Sequence, residues 1–591
     1  MFGRGNLFGR KGPQQVNTLR THSVATDRYF VQGQGQVQLG RTEFKAQGGE
    51  GAVYVKGQTA YKLYTDPARC IAQAKIDELS LLVQPNIIRP VHLILDGTNT
   101  AVGYTMRAVG KAHSLCQLFP KAFRQRNNIT PEITLRLVRQ LQTGVLHIHS
   151  RGVLVVDLNE MNFLVSTDFA ELFFIDVDSY QTPSFPATAL METVRDRHAT
   201  AHTTGSDWFA FAVVSFQMFV GIHPFKGTYG PLQHLPDNAA KLEARMRGNI
   251  SVLHAGVTVP AACLPLAVIP QSYLDWYRAV FEQGQRVPPP QSVQAAIPLA
   301  AARIARTVAS HSFEITEIHE FDSEIIWHDG VITVTEQSVY FDGKKYARPS
   351  FDAKFAITPR QRHLIGAYDD GTKLRFEDLT VGRRIETTIE GEQIMLSHGQ
   401  LYIKQQESIF AIDFVELPNN LSLGIKAVAN VMINSTRMFD GVAIQNLLGT
   451  NYVSIPTASG GCHQVRLAEL DGARIVNAKL YRRVLMVVVT TSGRYEKYIF
   501  RFAKDFSSYD LRRLVDVATT DIEFTVLDTG VVLHLTDDDE LEIFSSAKES
   551  AKLSLLDDPA LKDELKLFHK GTQALLGKGR KLYKFRLVSQ T

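Results

Sequence analysis

Apolar and polar positions follow two different rhythms along this chain, and the rhythm changes once. From Gly40 the runs are short and strand-like. VYV (Val53–Val55) and AYKLY (Ala60–Tyr64) flank a KGQ turn, and a helical stretch at Ala68–Leu82 precedes strands at Ile88–Leu95 and Thr100–Met106. Ile133–His149 carries Leu135, Val138, Leu141, Val145 and Ile148 at helical spacing, which predicts a core-packed helix. Phe163–Val165 and Leu172–Ile175 flank the turn-like Ser166–Glu171 and predict a β-hairpin. Asp207–Val220 predicts a buried helix, and helical patterning continues to about Ser310. That region closes on Pro288–Pro290 and an Ala-rich stretch, Ala295–Arg306, that reads as a connecting helix.

From Phe313 short alternating runs take over, starting at Gly330, His363, Gly399, Gly441, Arg483, Gly530 and Gly571. Each is followed by polar turn residues and a further strand. Seven units of about four strands, each about 40 residues long, predict a seven-bladed β-propeller; a pair of β-sandwiches is the alternative. The fold class expected is therefore multidomain: a mixed α+β region followed by an all-β domain. The divisions are a flexible basic tail at 1–35, a mixed domain at 36–296, a linker helix at 297–312 and the all-β domain at 313–591.

A chain of 591 residues is too long for one core, which fits this division. With 45% apolar and 21% charged residues the composition is that of an ordinary soluble protein, and a net charge of +4 argues for neither a nucleic-acid nor a membrane partner. Cys70, Cys116, Cys263 and Cys462 lie far apart and form no disulfide or metal pattern, so a reducing, cytoplasmic setting is expected. The first 26 residues hold four Arg or Lys and no acid, and lack an apolar signal core. A flexible start is preferred to an organelle transit peptide.

The stretch from His149 to Asp178 carries the chemistry. Asn162 lies five residues after Asp157, and the predicted hairpin delivers Asp176 to the same place. Carboxylate, amide and carboxylate are hard oxygen ligands that suit Mg²⁺. Asp and Asn are also ordinary loop residues, but their spacing within two framing strands favours the chemical reading.

On these residues the stretch from about 40 to 295 resembles the protein-kinase fold, in particular divergent bacterial serine/threonine members. Five pieces occur in the family's order. AQGGEGAV (Ala46–Val53) resembles the loop that covers the phosphates, with Gly48, Gly49, Gly51 and Val53 as the nucleotide-contacting positions and Ala46 in place of the first glycine. Lys62 matches the lysine that neutralises the α- and β-phosphates, and Glu78 the carboxylate that orients it, with Asp77 as an alternative. VVDLNEMN gives Asp157 as the residue that orients the acceptor hydroxyl. Val155, Val156 and Asn159 stand where the family has His, Arg and Lys. Asp176, followed by Val177 and Asp178, matches the metal-chelating aspartate, with Asn162 as the second metal ligand. Asp178 is read as a further ligand or a turn cap.

Downstream, GSDWFAFAVVSFQMFVGIHPFKG (Gly205–Gly227) resembles the helix beneath the active site, with Asp207 expected to bond the catalytic loop's backbone. Tyr180–Thr204 is the expected activation segment, with Thr182, Ser184, Thr188 and Thr193 as candidate phosphosites and Glu192 as its closing glutamate. The resemblance implies an ATP- and Mg²⁺-dependent serine/threonine protein kinase whose catalytic residues are Lys62, Asp157, Asn162 and Asp176. It implies protein substrates and a partner phosphatase, with the propeller binding a protein. The alternative is a catalytically weak or inactive pseudokinase scaffold. Loss of the arginine at position 156 implies an activity not switched on by loop phosphorylation. In 313–591 no His/Asp/Glu cluster stands out, and Asp537, Asp538 and Asp539 read as a solvated turn.

Overall fold

The computed structural model describes residues 8–10, 27–48, 50–290, 313–417, 420–457, 460–491, 494–537, 540–546, 549–554 and 565–587. Gly49, the linker helix expected at 297–312 and most of the expected tail lie outside them.

A seven-stranded antiparallel sheet opens the chain. Its order is Gly35–Leu39, Asp27–Val31, His92–Leu95, Ala101–Arg107, Thr59–Tyr64, Gly51–Lys56 and Phe44–Gln47. The first two strands form a hairpin that pairs on through Phe30 and Val31 to Leu95 and Ile94. This sheet therefore begins at Asp27, inside the segment expected to be tail. The reason is apolar: Val31 and Leu39 join Tyr61, Leu63, Ile94 and Val102 in one buried cluster on the outer face. With Tyr61 and Leu63 turned that way, strand alternation turns Lys62 inward.

Helix α1 spans Gln73–Leu79, shorter than the Ala68–Leu82 expected. Pro67 opens a separate 3₁₀ turn, Pro67–Arg69, and Cys70 is extended, so the helix starts only after Ala72. The helical lobe follows with α2 (Lys121–Arg126), α3 (Pro131–Ser150), α4 (Thr204–Val220), α5 (Asn238–Gly248) and α6 (Gln271–Phe281). Thr130 caps α3 with Pro131 in its first turn, and Gly221 ends α4 at φ 89°. On α3 the Gly144 position has no room for a side chain, since a Cβ there would lie 2.3 Å from the Phe174 ring. That close approach seats the hairpin Phe163–Ser166/Leu172–Phe174 on α3, with Phe163 opposite Phe174.

Among the described residues after 313 there are seven four-stranded antiparallel sheets, one of which takes a fifth strand from Phe8–Arg10. Each of the seven apolar runs noted in the sequence forms the second strand of one sheet, for example Ile332–Thr335 in the first and Gln573–Lys578 in the seventh. The seventh sheet is completed by the domain's first strand: Phe313–Glu320 pairs antiparallel with Lys581–Leu587. Apolar side chains pack successive sheets together. Ile332 and Val334 meet Phe355, and Leu533 and Leu541 meet Leu565 and Leu567. The seventh sheet in turn packs on the first through Phe568, Leu575 and Ile325. These contacts join neighbouring sheets and tie the last to the first.

Candidate active-site cleft

The cleft lies where the sheet meets the helical lobe and is bordered by Gly48, Gly51, Val53, Lys62, Asp157, Asn162 and Asp176; it is one part of a continuous space of about 2430 Å³ that runs on past the all-β region, for example along Arg437, Arg474 and His569. Among the described residues expected to carry chemistry, Glu78 and Asp178 do not border it.

Lys62 is 5% exposed and sits at the centre of a charge network. Its Nζ is 2.8 Å from Asp178 Oδ2 and 3.1 Å from Asp176 Oδ1, and Glu50 Oε2 is 3.8 Å away. Two tyrosine hydroxyls brace the acceptor: Tyr64 donates to Asp178 Oδ2 and Tyr104 to Asp178 Oδ1, each at 2.6 Å. Burial works against the Lys62 ammonium, but the Asp176 and Asp178 charges hold it well above the ordinary lysine value. Burial likewise pushes the Asp178 carboxyl up, and Lys62 with the two hydroxyls outweighs it and holds the group low. Lys62 is therefore a fixed cation.

This overturns the role given to Glu78. Its Oε2 accepts the Ser184 N–H at 3.3 Å, on the surface, and Lys62 is oriented by Asp178 instead. It also settles Asp178, which is 3% exposed and faces Lys62 rather than capping a turn. On α1 the residue buried toward this network is Lys75, whose Nζ has no hydrogen-bond partner among the described residues; burial pushes its pKa down.

Asp176 is different. Its side chain is 49% exposed, and its backbone is left-handed at φ 56°, a conformation Asp tolerates better than most residues. The following 3₁₀ turn, Val177–Ser179, swings Asp178 under the sheet while leaving Asp176 at the cleft.

The segment 155–162 is pinned from below. Asp207, fully buried at the start of α4, accepts the N–H groups of Val155 at 2.8 Å and Val156 at 2.9 Å, and lies 2.9 Å from His149 Nε2. This is the contact expected of it. Val156 is held at φ 61°, costly for a β-branched residue by about 1–3 kcal/mol, and the Asp207 carboxylate supplies the counter-hold. Asn162 Nδ2 donates to Asp157 O at 2.9 Å and to Asp157 Oδ2 at 3.2 Å, while Met191 N–H donates to Asp157 Oδ1 at 2.6 Å. Burial pushes the Asp157 carboxyl above its usual range despite these donors. Asn159 caps the 3₁₀ turn Glu160–Asn162 by accepting the Met161 N–H.

The glycine cluster serves the sheet as well as the cleft. A Cβ on Gly51 would fall 2.2 Å from Leu63 O, so that position must be glycine for the two strands to pair, whereas Gly48 has open space around it. Val53 stands opposite Lys62 in the ladder.

Glu192, read as the closing glutamate, makes only part-exposed pairs with Arg195 and Arg197. The buried closure is Asp196, which takes Arg286 in a two-pronged pair at 2.5 and 2.7 Å. Sequence reasoning missed it, along with Glu50, Tyr64 and Tyr104. Tyr64 shares a strand face with Lys62 and was legible two residues away. Tyr104 sits opposite Lys62 only through the strand register.

The donor set fits a magnesium ion. Asn162 spends its Nδ2 on Asp157, leaving Oδ1, and Asp176 presents a half-exposed carboxylate to the same cleft. Magnesium is commonly bound by one or two such groups together with phosphates and water. Among the described residues no helix is long and apolar enough to cross a membrane.

No family model matches the chain, and no curated protein matches it. Among solved structures, the Cydia pomonella granulovirus kinase PK-1 is 15% identical, with 40% of this chain and 85% of that chain covered at a TM-score of 0.30. The ROP18 kinase domain in complex with AMP-PNP and sucrose is 14% identical, with 45% and 80% covered at a TM-score of 0.31. Likenesses this distant leave any reading of the cleft resting on its own geometry.

Proposed function

We propose that the chain is an ATP- and Mg²⁺-dependent phosphotransferase of the protein-kinase type, acting on serine or threonine hydroxyls of protein substrates. One observation carries this reading: Lys62 borders the same space as Asp157, Asn162 and Asp176, with its Nζ 3.1 Å from Asp176, 114 residues further along the chain. Val53, Ala60, Met106 and Leu164 give that cleft an apolar lining suited to a flat base. ATP would supply the phosphoryl group. Lys62 and the Gly48–Gly51 backbone would meet its phosphates, and Asn162 with Asp176 would hold magnesium. Asp157 would orient the acceptor hydroxyl and take its proton, a task that its burial-raised carboxyl suits.

In this reading the seven sheets form a seven-bladed β-propeller, supported by the strand Phe313–Glu320 that pairs with Lys581–Leu587. It would bind a substrate or partner protein. A partner phosphatase and a cytoplasmic location belong to the same proposal.

A second reading, the inactive scaffold, is favoured by one feature: both Asp157 carboxylate oxygens already accept hydrogen bonds, from Met191 and Asn162. Val155, Val156 and Asn159 point the same way. Incubating the full chain with γ-labelled ATP and Mg²⁺, beside Asp157→Ala and Asp176→Ala, separates the two. Label transferred by the unaltered chain alone supports the phosphotransferase, whereas equal labelling by all three removes it.

A further inference from the structure

The catalytic segment has a second set of anchors, and they come from the all-β domain. Arg474, at the start of the fifth sheet, donates from one guanidinium nitrogen to Met161 O at 3.1 Å and from the other to Ser114 Oγ at 2.5 Å. Tyr495, on the strand Arg494–Phe502 of that sheet, donates its hydroxyl to Glu160 Oε1 at 2.7 Å. Glu160 is 3% and Tyr495 7% exposed, so this bond is shielded from water. Burial pushes the Tyr495 pKa well above its ordinary value, so its hydroxyl keeps the proton it donates. The packing is continuous as well: Met161, Leu115 and Cys116 share one apolar cluster with Val484, Met486 and Tyr495.

Glu160 and Met161 are the two residues immediately before Asn162, in the same 3₁₀ turn. Any displacement of them moves the Asn162 amide and, through its two bonds, Asp157. Within its own domain the segment is held at its start by Asp207, but Val156 offers no side-chain charge for any phosphorylated loop to grip.

We propose that Tyr495 and Arg474 are positioning residues for the catalytic segment, so that the all-β domain completes the active site instead of only recruiting a partner to it. The inference rests on the phosphotransferase reading above. It makes the two domains one catalytic unit, in which the fifth sheet takes over the ordering role of a phosphorylated loop.

The test uses the full chain with Tyr495→Phe, Arg474→Gln, Arg474→Lys and Glu160→Gln, plus Asn434→Ala as a control. Asn434 bonds Thr42 O at 2.8 Å, an interdomain contact away from the segment. Two readouts are taken: kcat and KM for ATP, and hydrogen exchange of the amides at 157–162. Tyr495→Phe and Arg474→Gln are each expected to lower kcat by about tenfold to a hundredfold while KM for ATP stays within about twofold. Exchange at 157–162 should quicken, Arg474→Lys should recover part of the rate, and Asn434→Ala should match the unaltered chain. Tyr495→Phe combined with Glu160→Gln should be no worse than the worse single change, since both touch one bond.

An unchanged kcat, or an equal fall in Asn434→Ala, overturns the inference while leaving the phosphotransferase standing. Quickened exchange without a change in kcat also overturns it, because the contacts are then structural only. An unaltered chain that transfers no phosphate overturns the phosphotransferase reading and this inference together.

Discussion

The two sides of the cleft secure their functional groups in opposite ways. On the proposed nucleotide side, Lys62 is gripped by Asp178, which the Tyr64 and Tyr104 hydroxyls brace in turn, all within the first domain and all buried. On the proposed catalytic side, Asp157 and Asn162 sit on a segment tied to Asp207 beneath it and to Arg474 and Tyr495 of the all-β region. The first arrangement is self-contained and leaves little for helix α1 to switch, because Glu78 takes no part in it. The second depends on how two domains dock. Control of this molecule should therefore be sought at the domain interface and not at α1.

The largest effect should come from Asp207→Ala. It strips the acceptor from two buried N–H groups, at roughly 1–3 kcal/mol for each donor left unpaired, and frees Val156 from its strained backbone. Urea unfolding should shift to lower denaturant, and phosphoryl transfer should disappear in whatever remains folded. A variant with unchanged stability and rate would show that the segment does not need this anchor and that the domain interface alone suffices.

Next in size is Asp178→Ala set against Glu78→Gln. Removing Asp178 breaks a buried, hydrogen-bonded pair, a change that costs about 3–5 kcal/mol. It should also weaken ATP binding by about tenfold or more, the equivalent of 1.4 kcal/mol. Glu78→Gln alters an exposed carboxylate and should leave both within experimental error. If calorimetry found the reverse order of ATP affinities, the self-contained grip on Lys62 would be the wrong description.

The two sides also differ in their response to acid. Asp178 is held below its ordinary 3.8 and Lys62 well above 10.5, so the nucleotide-side network keeps its charges between about pH 5 and 9. The helical lobe holds His223, which burial depresses to about 3 and which bonds Thr193 O at 2.9 Å. The unfolded chain takes up this proton near 6.5 and the folded one does not until about 3. Stability should therefore fall by about 1.4 kcal/mol per pH unit as pH drops below 6.5. His223→Asn should remove that share of the slope in urea midpoints taken at pH 7, 6 and 5. An unaltered slope would mean that His223 gains protons in the folded state as readily as in the unfolded one.

What the sequence made legible follows the range of the interactions. Local patterns were legible: the seven apolar runs after 313 are all second strands, and Asp157, Asn162 and Asp176, picked out by their spacing, border the same space. Glu78 failed because its role depended on which face of a seven-residue helix turns inward, and Lys75 takes that face. Tyr104 depended on strand register, and Arg474 and Tyr495 on contacts across more than 300 residues. None of these leaves a periodic trace. The hairpin at Asp27–Leu39 was hidden for another reason: its Gly- and Gln-rich polar face outweighs the few apolar residues it buries.

The smallest expected effect concerns the activation segment. Of its four candidate phosphosites, Thr182 and Thr193 are buried at 4% and 7% exposure, so a kinase could reach them only if the segment unfolded. Ser184 and Thr188 are exposed. The double change Ser184→Ala and Thr188→Ala removes both accessible hydroxyls and should alter activity by no more than about twofold, because Val156 has no charge with which to read a phosphate there. The same reasoning predicts that phosphatase treatment of the purified chain leaves its rate unchanged. If the double variant or the treated protein lost most of its activity, a phosphate on this segment would be doing what Arg474 and Tyr495 are assigned here. The contrast between a self-held nucleotide side and an externally held catalytic side would then have to be redrawn around the loop.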